Sequence, residues 1–481
     1  MIANLQLLLR FIFGSDSSGC YGLLNNYGDF RYTFVKEKMK ELAFFKIDLK
    51  GEFVFTKKIE LKYKEESIRL FRAYNIGDNY FLFGSYLAKD KKTFTILAYP
   101  IDKKGNLATP IEVLTSATFD EGWYNYNLYQ DDDSSAFYIW SPDKEKDNVE
   151  TAFHLHGFDT SLNHLWTKEF KLPADEFYRV DKMIFKKSKL YVLGRIPRDM
   201  DVKRLEKYKL SSYDLITYQS AHETITLNTG IAARCFMNLD EQGNPILAGF
   251  YVKELRLKYD SKYLDGFFCM KYDFKSGSQL FSVQQEFPYE VLTEFVSEKK
   301  AKLGGPLLLD LDVKSISTRL DGSMYIVSEH YAHVYAGEHI YYNYQNLIVT
   351  SISKEGIIEW FKTIPKPKQS SIMIDNIKFY SYLKGSVGDN VYFMYNENYD
   401  NPNRPKTIDH AGLINCNDVI TSLATLDRKG NLARQTIFKE DNPKNKTCIE
   451  PVNSLKLSEN TFILYRTSGQ DAKLGLLKFE K

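Results

Sequence analysis

Cysteine is scarce in this chain, and its spacing excludes more than its number does. Cys20, Cys235, Cys269, Cys416 and Cys448 form no CxxC pair, which argues against a zinc ribbon or a dithiol redox motif. Their odd count argues against a dense disulfide framework. Cys416 and Cys448 lie in adjacent loop-like segments that could pair, whereas Cys235 and Cys269 sit in apolar strands, as buried free thiols do. An excess of one charge is also missing. With 64 basic residues against 62 acidic ones, no long-range field draws nucleic acid or an anionic membrane. The basic stretches 182–189 and 203–209 read as solvated strand edges and loops. There is no run of about 18 apolar residues, so no helix spans a bilayer. The opening Leu5–Phe13 is apolar, but Arg10 breaks it and neither a basic leader nor a small-residue cleavage site accompanies it. It reads as a strand rather than a signal peptide. Nucleophile-elbow (GxSxG), zincin (HExxH), phosphate-loop and Rossmann glycine motifs do not occur.

Aromatic residues, in contrast, are plentiful. Tyr (34) and Phe (33) bring the aromatic fraction to 15%, the composition that half-buried strand surfaces favour. Two weak repeats run the length of the chain. In the first, a strand ends in Asp, a short turn carries Gly, and an aromatic or apolar strand follows. Copies are centred on Asp48/Gly51, Asp102/Gly105, Asp159 leading to Trp166, Asp273/Gly277, Ser353/Gly356 and Asp427/Gly430, with a degenerate copy near Ser220. Asp opens such a turn through its side-chain oxygen and Gly supplies positive φ. The second repeat is a polar turn followed by alternating aromatic and aliphatic residues. Its copies begin at Asp16, Gly77, Asp133, Lys187, Asp240, Asp321, Gly388 and Ser458.

The two hairpins alternate, about 55 residues apart in the first half and about 75 in the second. One of each makes four strands, a propeller blade. The fold class expected is therefore all-β: one β-propeller of eight blades, with seven as the alternative and the last blade incomplete. Blade limits fall near 1–65, 66–118, 119–174, 175–228, 229–288, 303–370, 371–441 and 442–481. Residues 289–303 form a helical insertion that stops at Gly304-Gly305-Pro306. Eight copies of one hairpin meet only seven of the other, so the missing outer strand, and an export leader with it, is expected upstream of Met1. An open three-stranded blade, or a seven-bladed ring with an extra C-terminal hairpin, is the alternative.

The segment 232–401 resembles an uncharacterised group of β-propeller-like repeat proteins from bacteroidete bacteria. The resemblance rests on Leu247–Tyr251, Asp265–Phe268, Ile326–Tyr331, Tyr341–Tyr344, Gly356–Trp360, Ile364–Gln369 and Ser381–Tyr382, with Phe153–Trp166 fitting as well. It implies a secreted or envelope-associated protein and carries over no activity.

Two enzyme classes built on this ring can be tested by motif. Quinone-dependent dehydrogenases carry Trp in a repeated Gly-x-x-x-Trp turn. Gly356/Trp360 fits and Trp166 fits approximately, but the equivalent positions Phe55, Thr109, Phe281 and Arg434 do not, so these Trp read as blade-packing aromatics. The sialidase-type turn is absent. The densest polar and aromatic stretch is Glu329–Tyr342, where Glu329, His330, Tyr331, His333, Tyr341 and Tyr342 make a candidate binding loop. Lys366 and Gln369, in a loop fixed by Pro365 and Pro367, make a candidate rigid rim. On a strand His330 and His333 point to opposite faces, so no metal is assigned there. Asp131–Asp133 lacks the calcium-loop spacing, and no cofactor is implied. The function expected is non-enzymatic: loops presented to a protein or glycan partner at the bacterial envelope or outside the cell. One alternative is a glycan-active hydrolase or lyase working at the central channel, which convergent carboxylates and Arg near the axis would favour. The other is a structural subunit of a surface complex, docked through the open blade.

Overall fold

The computed structural model describes residues 8–480 apart from 26–41, 49–50, 89–92, 117–125, 132–135, 145–149, 173–178, 197–206, 254–262, 306, 309, 337–338, 367–368, 372–380, 399–400, 402–418, 439–447, 452–453 and 469–470. The chain folds into an eight-bladed β-propeller. Blade 1 comprises Leu8–Asp16, Gly19–Asn25, Leu42–Ile47 and Phe53–Ile59. Blade 2 comprises Arg69–Ile76, Asn79–Leu87, Phe94–Ile101 and Ile111–Ser116. Blade 3 has Asn127–Gln130, Phe137–Lys144, Glu150–Phe158 and His164–Lys171. Blade 4 has Arg179–Lys186, Lys189–Ile196, Lys207–Asp214 and Ser220–Thr224. Blade 5 contains Ile231–Leu239, Pro245–Val252, Gly266–Asp273 and Ser278–Glu286. Blade 6 contains Leu311–Thr318, Met324–Ala336, His339–Ile352 and Ile358–Ile364. Blade 7 contains Leu383–Val387, Asn390–Asn398, Val419–Leu426 and Leu432–Phe438. Among the described residues blade 8 has three strand positions. The short pieces Cys448–Ile449 and Leu455–Ser458 both pair with Thr461–Ser468, which in turn pairs with Asp471–Lys478.

The Asp turns show why this sequence makes these hairpins. Asp102 Oδ1 accepts the N–H groups of Lys104 and Asn106 (both 2.8 Å), and its Oδ2 accepts Asn106 Nδ2 at 2.7 Å. Gly105 closes the turn at φ 77°. The same cage forms at Asp159/Asn163 and Asp427/Asn431. In blade 3 Leu162 occupies the glycine position at φ 65°. It stays there because its side chain is buried between blades 2 and 3.

Eight apolar clusters fill the eight junctions between blades. Aromatic pairs cross them: Tyr21–Tyr80 at 4.9 Å, Phe83–Phe137 at 5.0 Å, Tyr138–Phe185 at 4.4 Å and Tyr392–Phe479 at 4.6 Å between ring centroids. Such pairs add about 0.5–1.5 kcal/mol each beyond area burial. Blade 8 meets blade 1 through Ile463 and Tyr465 packed on Cys20, Phe45 and Ile47, so side-chain packing closes the ring. Hydrogen bonds also step from blade to blade: Tyr74 Oη donates to the Leu128 carbonyl (2.7 Å), Tyr325 Oη to Asp389 (2.8 Å) and Trp360 Nε1 to Arg428 (3.0 Å). Gly430 lies under the Trp360 ring, where a Cβ would come within 2.8 Å. Trp360 is thus a blade-packing residue.

The insertion after blade 5 differs from the single helix expected. It forms two short helices, α1 (Tyr289–Leu292) and α2 (Glu298–Lys302). The break lets Phe295 and Val296 turn onto the core between blades 5 and 6, beside Val291, Leu292 and Ala301. Among the described residues no helix is long and apolar enough to cross a membrane.

Antiparallel order sorts the connections. First-to-second and third-to-fourth turns share one face of the ring, and both sequence repeats lie there. Second-to-third and fourth-to-first connections share the other face. Those are the long ones, between residues 25 and 42, 196 and 207, 286 and 311, or 398 and 419. Short, rule-bound turns make the first face uniform, whereas long connections are, in proteins generally, where sequence varies and binding residues concentrate.

A charged mouth on the loop face

The first strands of neighbouring blades touch and so line the central axis. Lys182 of blade 4 lies 3.7 Å from the Phe236 ring centroid of blade 5. Asn238 Nδ2 of blade 5 donates to the Ile316 carbonyl of blade 6 at 2.9 Å. Lys384 of blade 7 donates to Ser315 Oγ (3.2 Å) and Ser317 Oγ of blade 6. Burial lowers both Lys182 and Lys384 to about 8.

A β-bulge recurs near the loop-face end of these strands, at Phe71 in blade 2, Asp181 in blade 4, Ala233 in blade 5 and Lys314 in blade 6. Bulges re-aim side chains, and here they gather charge. Arg195 Nε lies 3.1 Å from Asp181 Oδ2, with Arg179 Nε at 3.9 Å from Oδ1. Arg234 reaches Asp310 Oδ1 (3.6 Å) and Asp312 Oδ1 (3.7 Å), and Lys314 Nζ lies 3.5 Å from Asp312 Oδ2. Burial holds Asp181 above the usual carboxylate range, even though Arg195 and Arg179 pull it down. Arg234 Nη1 donates to the Ala233 carbonyl at 3.2 Å, but Asp310 and Asp312 lie too far for direct hydrogen bonds, so the rest of its planar fork keeps the capacity to grip an incoming carboxylate or sulfate.

Next to this mouth rises the longest hairpin among the described residues. Glu329 pairs in register with Asp312, and beyond it the two strands continue as Tyr331↔Tyr344, His333↔Tyr342 and Val334↔Tyr341. Gln369–Ser371 joins the same edge, Tyr344↔Gln369 and Tyr342↔Ser371. The two candidate segments read from the sequence, 329–342 and 366–369, are thereby brought together. The side chains of His333, Tyr341, Tyr342 and Gln369 lie outside the described residues. Tyr331 packs at a tilt against Tyr344 (4.6 Å between ring centroids), Lys314 Nζ lies 4.9 Å from the Tyr331 ring centroid, and His330 packs edge-on against Phe295.

Glu329 and Lys366 have another role. Their side chains have no exposed surface, and Lys366 Nζ lies 2.6 Å from Glu329 Oε1. Ser381, held at φ 69°, donates to Glu329 Oε2 at 2.9 Å, and the Lys366 N–H donates to Asn346 Oδ1 at 3.0 Å. Burial lowers the Lys366 ammonium against the opposing pull of Glu329. A ligand arriving from solvent cannot touch this pair. It braces the hairpin and the proline-flanked strap from inside.

The axial charges were missed in the sequence, although they leave a signal. Where the repeat calls for a half-buried strand, Arg179-Val180-Asp181 and Asp310-Leu311-Asp312-Val313-Lys314 place charges on alternate positions. Among the described residues no cluster of His, Cys, Asp and Glu could hold a metal ion. Asp132 and Asp133 lie outside the described residues. Cys448 is disulfide-bonded, Cys20, Cys235 and Cys269 are free thiols, and Cys416 lies outside the described residues.

No protein-family description matches this chain, and no curated protein is significantly similar to it. Solved structures similar to it include Sqt1 of Saccharomyces cerevisiae, at 9% identity and TM-score 0.38 over 98% of each chain. A polysaccharide lyase described as an ulvan lyase is 11% identical, with TM-score 0.39 over 84% of this chain and 91% of its own. The β-propeller domain of the trilobed protease from Pyrococcus furiosus is 14% identical, with TM-score 0.36 over 91% and 98%.

Proposed function

We propose that this protein is an exported propeller of the bacterial envelope group that its sequence resembles, and that it binds an acidic glycan at the axial mouth of its loop face. The observation that carries this reading is the convergence of Arg179, Arg195, Arg234 and Lys314 with Asp181, Asp310 and Asp312 beside Tyr331. Guanidinium forks suit planar anionic substituents, carboxylates accept sugar hydroxyls, and a tyrosine ring offers an apolar face with a polar edge. The disulfide at Cys448 supports an oxidising compartment.

The test is a panel of acidic and neutral oligosaccharides titrated calorimetrically into wild type and Arg234→Gln. Acidic members should bind, and the substitution should weaken them about 10- to 100-fold, the worth of a charge-assisted hydrogen bond. Equal binding of neutral and acidic sugars, or an unaffected variant, would sink the reading. The raised Asp181 carboxyl favours a second reading, a glycan-cleaving enzyme using Asp181 as proton donor at the same mouth. The appearance of new chain ends in the panel would select that reading.

A further inference from the structure

A groove of about 440 Å³ on the rim of the ring has no part in the mouth just described. It runs between the outer strand of blade 6, helix α1, and Leu432 and Arg434 of blade 7. Every residue from Ile358 to Thr363 lines it. Successive side chains of a strand point to opposite faces, so a cavity touching all of them must follow the edge of the strand. One edge of Ile358–Ile364 pairs with His339–Ile352, and its other edge pairs with no strand among the described residues. Its unpaired N–H and C=O groups therefore line the groove, where an added strand can use them.

The two sides of that edge differ in charge. Trp360 and Ile364 pack toward blade 7 and Phe361 toward blade 5, so alternation puts Lys362 on the blade 7 side and Thr363 on the helix side. Arg434 joins Lys362, held by Glu397 at 2.5 Å, while the Glu359 carboxylate in the same groove is occupied by Ser351 Oγ (2.6 Å) and Arg319 (3.8 Å). Glu290 and Glu294 form the helix wall. On that side Thr363 is buried, and its Oγ has no hydrogen-bond partner among the described residues.

We propose that the outer edge of blade 6 takes up an extended peptide segment of a partner protein as an additional strand, with basic side chains facing Glu290 and Glu294 and acidic ones facing Lys362 and Arg434. Main-chain hydrogen bonds to the edge supply affinity, and the alternation of charge supplies selectivity and register.

The test uses the full chain and labelled, capped octapeptides read by fluorescence anisotropy. One alternates Lys and Glu, and one has the same composition in two blocks. Two more alternate but carry N-methyl groups on every second backbone nitrogen, in the two possible registers. The alternating peptide should bind about tenfold tighter than the block isomer, the sum of a few cross-strand charge pairs. One N-methylated register should bind like the parent and the other should fail. Glu290→Lys with Glu294→Lys, both at exposed positions, should remove the preference for alternation while the circular dichroism spectrum stays unchanged. Equal binding of alternating and block peptides, tolerance of both N-methyl registers, an unaffected double variant, or no binding by any peptide would each overturn the proposal.

Discussion

Breaking the Glu329–Lys366 pair should give two variants with opposite pH dependence. Both side chains are fully buried, and among the described residues their ion pair is with each other at 2.6 Å. In Glu329→Gln the lysine loses its counter-charge. It must either stay ionised in an apolar site, at a cost of about 3–5 kcal/mol, or give up its proton. Neutralising a free lysine at pH 7 costs about 4.6 kcal/mol, from a reference value near 10.4 at 1.36 kcal/mol per unit. That figure caps the loss. The folded-state value of Lys366 would then lie far below that of the unfolded chain, so the unfolded state would bind the extra proton. Stability must rise with pH toward about 10.

Lys366→Met inverts the argument. The stranded Glu329 can be neutralised by taking up a proton, at a cost of about 3.7 kcal/mol at pH 7 from a reference near 4.3. Its folded-state value would be raised, so the folded state would bind the extra proton and the deficit would shrink as pH falls. Urea midpoints at about pH 6, 7.5 and 9 should therefore move in opposite directions for the two single variants. The double variant should be flat and should cost less than the sum of the two. Parallel pH profiles, or a loss below about 1 kcal/mol in both single variants at pH 7.5, would refute the claim that the pair is dry and mutually dependent.

Other perturbations probe the turn face. Asn163, Asn431 and Ser276 side chains hold Asp159, Asp427 and Asp273 below the ordinary carboxylate value, and Ser323 brings Asp321 to about 2. Their stabilisation is complete above about pH 4 and lost as pH falls through the lowered folded-state values. The melting temperature of Asp159→Asn/Asp427→Asn should accordingly vary less between pH 5 and 2 than that of wild type, and parallel curves would count against the turn cages. Gly430→Ala meets both φ 78° and the Trp360 ring at 2.8 Å, whereas Gly277→Ala meets φ 68° and open space. Thermal unfolding should show about 1 kcal/mol lost at Gly277 and about 1–3 kcal/mol more at Gly430, and equal losses would contradict the packing described. Alkylation in denaturant without reductant should label Cys20, Cys235 and Cys269 and spare Cys448. Peptide mapping should find Cys448 joined to Cys416, and labelling of all five cysteines would defeat that pairing.

What the sequence discloses and what it hides follow the two faces of the ring. Asp102 takes its hydrogen bonds from Lys104, Gly105 and Asn106, so the partners that shape the turn are within four residues and it can be read from one short window. The same holds for the aromatic alternation that follows each turn. The eight-bladed ring was legible because such local signals repeat. The mouth is built the other way. Arg234 finds Asp310 and Asp312 from the next blade, and Glu329 finds Lys366 across a strand and a proline strap. The partners of each such pair are at least 37 residues apart, far beyond any short window. The helix at 289–303 failed for a related reason: its periodicity is sound, but Phe295 and Val296 gain more from the core between blades 5 and 6 than from completing a helical turn. The candidate residues 329–342 were singled out for their composition. Composition could not separate Glu329, which braces the hairpin from inside, from Tyr331, which stands at the mouth beside Lys314. That distinction depends on which side of the strand the next blade covers, and only closure of the ring decides it.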